Sequence, residues 1–526
     1  MNAKRTRASK EAPARRTTAG SLPRSTTAAG SRSSGASSAR AKAPPLPGVA
    51  ALATLAPAAR AVAVPTHIIH LNPHTGIDVW QHRNAVGRAL RAQSPRDAHA
   101  LWQAPANRPD PIALIEASNM GRQADLVPMR FGRMAGSPFA FLRGSACVMA
   151  WDLARTASAG LHVFMCGDAH LNNFGLFGTP QGDVVIDLND FDEVTVGPWE
   201  WDLKRLTTSI ALAGREAGLD RRERRRALLR CARSYRMAMI QMQSMPILDL
   251  WYMHTAPEQM KAPGSLASTE NAVLLNNAVR LARRDTNRRL LSKVAERDAK
   301  GQWRFREDPP LTQRVDAAML DQLTHALQGY AATLARERHY MFNRYRVVDA
   351  VHRVVGVGSV GTRSYVVMML GNDDQDVLFL QVKEAVLPAA APFVPPLPEE
   401  YGHHQGRRVV LGQRLLQASG DPLLGWSQID GRDFYVRQFR NLKASIPIEK
   451  LDTENLRFLG DAYGALLARA HARTGDAAAI AGYLGRVAVF DKALAEWAEA
   501  YADQTERDHA VLLAAIKSKR VTTMPG

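Results

Sequence analysis

Eight residues, Cys-Gly-Asp-Ala-His-Leu-Asn-Asn at 166–173, concentrate the acid, imidazole and amide groups that a catalytic loop needs. They lie between two short apolar runs, Leu161–Met165 and Val184–Ile186, and Asp187 closes the second. An Asp followed five positions later by an Asn, with another Asp ending the next strand, is a layout suited to phosphoryl transfer. Asp168 would accept a hydroxyl proton, while Asn173 and Asp187 would hold Mg²⁺ against phosphate oxygens. Oxygen ligands on a tight loop suit that hard cation. The plainer alternative makes Asp168 and Asn173 turn formers and 187–192 a solvated loop. A zinc site from His162, Cys166 and His170 lacks a fourth ligand.

A second set lies downstream. Gly356-Val-Gly-Ser-Val-Gly361 is followed 22 residues later by Lys383. The same glycine spacing opens dinucleotide-binding helices, but there a helix must follow. Here Thr362–Leu370 runs into the turn Gly371-Asn-Asp-Asp and reads as one arm of a hairpin. In that setting the backbone N–H groups of Gly356, Gly358, Ser359 and Gly361 close over phosphates, and a Lys two strands on contacts them. Leu-Phe-Leu-Gln-Val-Lys383 puts an ammonium on an otherwise apolar strand, which is costly unless it is paired or meets an anion. The alternative is an edge-strand lysine pointing outward. Its acid partner stays open among Glu399, Glu400 and Glu384, the last facing the other way on the strand.

Two kinds of scaffold must position these groups. Residues 66–345 read as mainly helical, with helices at Asp78–Gln93, Pro111–Asn119 and Trp199–Ala213, the last apolar at 199, 203, 206, 210 and 213. The Arg-rich run 221–230 reads as a solvated helix face, and the stretch to 345 as helical with breaks near 246, 263 and 309. Residues 346–445 read as β-rich. His352–Val357, Ser364–Leu370 and Val377–Val382 form an antiparallel trio, and Gly425–Ile429 with Phe434–Phe439 form a hairpin about Asp430-Gly431. Between them, a Pro-rich link (Pro388–Pro398) leads to a helix at Gln405–Ala418. Residues 446–526 return to helix, with Leu456, Leu459, Tyr463, Leu466, Leu467 and Ala470 on one apolar stripe. The fold class is α+β.

The 526 residues carry 68 Lys+Arg against 50 Asp+Glu, a net charge of +18, with 46% apolar residues. That length allows a sizeable core and more than one lobe. The charge is concentrated at the start, where residues 1–65 hold 11 Lys and Arg against the single acid Glu11. Such a segment, poor in aromatic and β-branched residues, reads as a disordered basic tail. The high pI therefore does not make the body a nucleic-acid binder, although the tail keeps a weak contact of that kind open. Arg15-Arg16 invites an export reading, but the following apolar run starts about thirty residues on and is broken by Pro57 and Arg60. Three cysteines without a Cys-x-x-Cys suit a reducing, cytoplasmic setting. No stretch approaches the ~18 apolar residues of a membrane span, so no membrane partner is expected.

Together the two sets resemble the protein-kinase-like fold, most closely its small-molecule (aminoglycoside/choline) phosphotransferase branch. There the loop reads His-Gly-Asp-x-x-x-x-Asn, and Cys166 stands where that branch has His. Ile186-Asp187 and Asp202-Leu203 look like the branch's later Ile-Asp and Asp-Leu-Ala pieces. The resemblance implies Asp168 as catalytic base and Asn173 and Asp187 as metal ligands, with Asp190, opening Asp-Phe-Asp, as the rival to Asp187. Across most of 110–515 the chain also resembles the bacterial family known as domain of unknown function 2252. Ser-Pro-Phe-Ala-Phe-Leu-Arg-Gly (137–144), Gly-Pro-Trp-Glu-Trp-Asp-Leu-Lys-Arg-Leu (197–206) and Val-Val-Gly-Val-Gly-Ser-Val-Gly-Thr-Arg (354–363) carry that likeness. It implies no reaction.

In kinases the glycine loop and Lys precede the catalytic loop; here they follow it by about 190 residues. A helix ending in Leu-Ala-x-x-His directly precedes the loop in that fold, and Leu467-Ala-Arg-Ala-His471 ends such a helix here. It lies beyond the hairpin and an apparent hinge at Arg440–Ser445. The order is that of a kinase cut at one point, a circular permutation. The expectation is a two-lobed, ATP- and Mg²⁺-dependent phosphotransferase acting on a hydroxyl of an unidentified small molecule or protein. The alternatives are a nucleotide-binding regulator without turnover and a nucleic-acid-associated protein using its tail.

Overall fold

A computed structural model of the chain describes residues 79–524 except 262–268, 355, 398–402, 441 and 447–450. The basic tail, and Glu399 and Glu400, lie outside the described residues. A helix over Trp80–Ala89 starts without a side-chain cap, but two of the next three start where their caps dictate. Asp110 accepts from Ile112 N at 3.0 Å ahead of α1 (Pro111–Ser118). After α2 (Val127–Ala135), Ser137 caps α3 (Pro138–Gly144) in the same way. In α1 and α3 proline takes the first helical position, where no amide partner is lost. Next comes α4 (Ala146–Leu153).

Four short strands follow, and their pairing explains why two loops meet. β1 (His162–Met165) pairs antiparallel with β4 (Thr195–Pro198), and β2 (Phe174–Gly178) with β3 (Val184–Leu188). The loop 166–173 runs from the first ribbon to the second, and the loop 189–194 runs back. Both cross the same gap and are therefore neighbours. Behind them lies α5 (Trp199–Glu216), buried along nearly its whole length, then α6 (Arg221–Met242), which opens on an Asp220–Glu223 capping box.

The region expected to stay helical up to 345 instead contains β5 (Ala295–Arg297), β6 (Trp303–Phe305) and β7 (Thr312–Arg314). Asp298 makes the hairpin turn by accepting from the N–H groups of Lys300 and Gln302. β7 then begins a six-stranded antiparallel sheet with β8 (Arg346–Arg353), β9 (Ser364–Leu370), β10 (Val377–Glu384), β11 (Gly425–Ile429) and β12 (Arg432–Gln438), in the order β11-β12-β10-β9-β8-β7. β8 runs earlier than the expected 352–357. Its pairing with β9 ends near His352–Tyr365, and Gly356, at φ +69°, turns the chain out of the strand.

Both faces of the sheet are covered. Tyr365, Val367, Leu378, Leu380 and Val382 pack toward α8 (Ala317–Ala331). Val366, Met368, Val377 and Phe379 pack toward α7 (Asn287–Val294) and the β5–β6 hairpin. That is why β9 and β10 read as near-continuous apolar runs. Lys383 continues the row Val377, Phe379, Gln381 and is its charged end.

From the sheet the chain passes through α9 (Gln405–Leu416) and the β11–β12 hairpin to α10 (Thr453–Ala472), capped by Asp452. Every residue of the predicted stripe from Leu456 to Ala470 is buried, in one core with β1–β4, α5 and α6. The Phe174 and Tyr463 rings stack at 4.2 Å. Burying each such side chain stabilises the fold by ~1.5–3 kcal/mol.

Candidate functional site

The loop after β1 is held from below by one carboxylate. Asp202, in the first turn of α5, accepts from Cys166 N at 2.6 Å and Gly167 N at 2.8 Å. His471 Nε2, at the end of α10, lies 3.2 Å from the same carboxylate, and Tyr235 OH lies 2.8 Å from His471 Nδ1. The Asp-Leu piece and the Leu-Ala-x-x-His helix therefore meet beneath this loop. Gly167 has φ +78°, and a Cβ there would fall 2.2 Å from Glu193 O, so only glycine fits where the two loops cross.

Asp168 faces a cavity with one carboxylate oxygen bound 2.5 Å from Arg205 Nε; His170 Nε2 stands 3.6 Å from the other. Burial pushes His170 down to about 4, so its ring is neutral at pH 7. Arg205 was not singled out from the sequence. It sits three residues after Asp202, on the same helix face, and that spacing is the signal that could have found it. Cys166, where the resemblance expects His, donates its thiol to Asp190 O at 3.3 Å and so joins the two loops.

Asn173 is a tie between loops. Its amide donates to Asp168 O (2.9 Å) and Asp190 O (3.1 Å), and its carbonyl accepts from Asp190 N at 2.7 Å. One lone pair of the oxygen expected to hold a metal is thus taken by backbone, and the residue lines the cavity. Asp187 departs further from expectation. It is 1% exposed, accepts from Leu188 N and Ala418 N, and forms an ion pair with Arg469 of α10. It is absent from the cavity wall. The register that pairs Gly175 with Asp187 turns this side chain into the core rather than toward the loops.

Asp190 and Asp192 are on the wall. Asp190 Oδ1 is buried without a hydrogen-bond partner among the described residues. Burial would raise this carboxyl, but Lys383 and Arg437 outweigh it and hold the group below its ordinary value. Asp192 accepts from Lys383 Nζ, from Ser359 Oγ at 3.1 Å and from Tyr435 OH at 2.8 Å. It is therefore the partner acid of Lys383, supplied from 191 residues upstream. Glu384 instead holds Arg363 and Arg432. Burial works against the Lys383 charge, but Asp190 and Asp192 more than offset it and keep the ammonium protonated.

The glycine turn closes the cavity from the sheet side. Lys383 Nζ also donates to Ser359 Oγ at 2.8 Å. The turn is strapped to α2 by Arg133 on Gly356 O, and to the α1–α2 connection by Arg122 Nη1 on Val360 O (2.7 Å) and Gln123 N on Gly361 O (2.8 Å). Gly356, Gly358 and Ser359 reach the cavity; Gly361 and Lys383 stand behind its wall. α9 braces the opposite loop, because Arg408 donates to Asp192 O and Val194 O. The cavity volume is about 370 Å³, within the range of small-molecule sites. In the crossing segment, residues 442–446 after β12, Ala444 exchanges both backbone hydrogen bonds with Leu176, and Arg440 and Lys443 line the rim. Burial, then Arg437, pushes Lys443 down to about 7.

The family described as "uncharacterized protein conserved in bacteria", DUF2252, matches residues 122–515. The chain belongs to this family. The DUF2252 span starts at Arg122, which straps the glycine turn, and takes in both loops, the sheet and α10. No curated protein and no solved structure matches the chain. Among the described residues no helix is long and apolar enough to cross a membrane, and no cluster of three or more His, Cys, Asp or Glu is placed to hold a metal ion.

Proposed function

We propose that this DUF2252 protein is an ATP-dependent phosphotransferase with a kinase-like, circularly permuted arrangement. One observation carries the reading. Lys383 and the glycine turn meet the Asp190–Asp192 loop across 191 residues of sequence, and Asp168 stands on the same cavity wall. The order of the pieces supports it as well: glycine turn, Lys383, α9, hairpin, crossing segment and α10, whose His471 braces the catalytic loop.

The donor set fits a Mg²⁺–nucleotide better than a metal alone. One or two carboxylates suffice when phosphates supply the remaining oxygens. Asp190, with its orphan buried oxygen, takes the ligand role first assigned to Asp187, and Asp192 is next in reach. Bound there, Mg²⁺ would neutralise charge on the phosphates. Ser359 and the backbone of the glycine turn would bind and orient them, while Lys383 holds Asp192 in place. Asp168 would take the proton of the acceptor hydroxyl.

A second reading, a nucleotide-binding regulator without turnover, draws on the Asp168–Arg205 ion pair, since that arginine already occupies one oxygen of the carboxylate that would take the proton. The two part on one experiment, incubation with labelled ATP and a pool of cell metabolites. Phosphotransfer yields a labelled product that Asp168→Ala reduces at least ~100-fold while MgATP affinity stays near wild type. MgATP binding with no labelled product selects the regulator.

A further inference from the structure

Beside the main cavity lies a second compartment of about 120 Å³, and Asp168 lines both. Its walls come from the α1 end (Ala117, Met120), the α3–α4 junction (Ala146, Cys147) and the strand exit (Leu387, Ala389). These are apolar or small side chains. The polar part is dominated by arginines, and their partners are telling.

Arg130 is buried, yet it donates only to neutral groups: Ser118 Oγ at 3.0 Å, Asn119 Oδ1 and Gly144 O at 2.7 Å. Its Nε has no hydrogen-bond partner among the described residues. Arg122, half-buried, donates to Ser118 O and Val360 O. Neither forms an ion pair with a carboxylate among the described residues. The carboxylates nearby are occupied elsewhere: Asp168 with Arg205, Glu384 with Arg363 and Arg432, and Glu193 with Ala389 N. Glu193 attracts both arginines from beyond hydrogen-bond distance. Burial, then the repulsion from Arg122, pushes Arg130 down to about 9. Buried cations in proteins are ordinarily paired, so the buried Arg130 and its neighbour Arg122, neither hydrogen-bonded to Asp168, Glu193 or Glu384 of the same lining, call for an anion.

We propose that this compartment holds the phosphoryl acceptor and that the acceptor is a small alcohol bearing a carboxylate or phosphate, its anion on Arg122 and Arg130 and its hydroxyl toward Asp168. The assignment as acceptor rests on the phosphotransfer reading. In the transfer, the acceptor oxygen bonds to the γ-phosphorus of ATP as the bond to the β-phosphate oxygen breaks. ADP leaves with that electron pair, and the hydroxyl proton passes to Asp168.

The test is calorimetric titration of the full chain, without nucleotide, with glycerate, glycerol 3-phosphate and uncharged glycerol. At least one anion should bind and glycerol should not; a carboxylate-only or phosphate-only response supports the proposal and names the anion. Arg122→Gln should weaken anion binding about tenfold or more. Ala146→Leu, which fills the compartment while keeping every charged side chain, should abolish anion binding while leaving MgATP affinity unchanged. Glycerol binding as tightly as the anions, failure of both anions to bind, or full anion affinity in Ala146→Leu would overturn the proposal. If anions bind in the compartment but MgATP does not bind the protein, the phosphotransfer reading fails and the anion site stands. If MgATP binds and the anions do not, only the present inference falls.

Discussion

Asp187 and Asp192 stand five residues apart, and each is bonded to a cation from a distant part of the chain, yet they do different work. Asp187 closes on Arg469 inside the core, with both partners at 2% side-chain exposure or less. Asp192 closes on Lys383 at the edge of a cavity and keeps a quarter of its side chain exposed. The first pair holds α10 against β3. The second joins the sheet to the 189–194 loop at a cavity wall. A carboxylate at the end of a strand is thus no sign of a metal site until its burial is known.

That contrast can be broken by substitution. Asp187→Ala leaves a buried guanidinium without its partner and should cost about 3–5 kcal/mol of folding stability by urea denaturation. Asp192→Ala should cost only ~1–2 kcal/mol, since Asp190 and Ser359 remain beside Lys383. Equal losses would erase the distinction. Next in size is Lys383→Ala. By removing the charge that holds Asp192 and Ser359, it should weaken MgATP binding by about ten- to a hundredfold in calorimetry. An unchanged affinity would make the lysine purely structural.

A smaller effect belongs to the rim. Lys443 is protonated below about pH 7 and loses its charge above it, so its attraction for phosphates fades as pH rises. MgATP affinity should fall roughly threefold between pH 6 and pH 8.5. Lys443→Arg, which keeps its charge throughout, should flatten that profile. A profile unchanged in the variant would remove Lys443 from the site.

What could be read from the sequence follows how far apart the cooperating residues lie. The loop 166–173, the glycine turn with Lys383, the hairpin and the α10 stripe are patterns of neighbouring residues, and local spacing carries them. Asp192 as partner of Lys383, and Arg469 as partner of Asp187, join residues 191 and 282 positions apart, and no local pattern marks them. Arg205 was within reach, one turn beyond Asp202. The hairpin β5–β6 and strand β7 were hidden because three-residue strands among arginines carry too short a period to compete with a helical reading. The spacing from Asn173 favours Asp187 over Asp190, but spacing does not report which side of a ribbon faces the core.

The central claim is that the cavity between the glycine turn and the two loops takes a Mg²⁺–nucleotide through Asp190 rather than Asp187. Titrating ATP with and without Mg²⁺ into wild type, Asp190→Asn and Asp187→Asn tests it directly. The account predicts that Mg²⁺ strengthens ATP binding in wild type and in folded Asp187→Asn, and that Asp190→Asn loses this gain. Loss of the gain in Asp187→Asn with its retention in Asp190→Asn, or no ATP binding to the wild type, would contradict it.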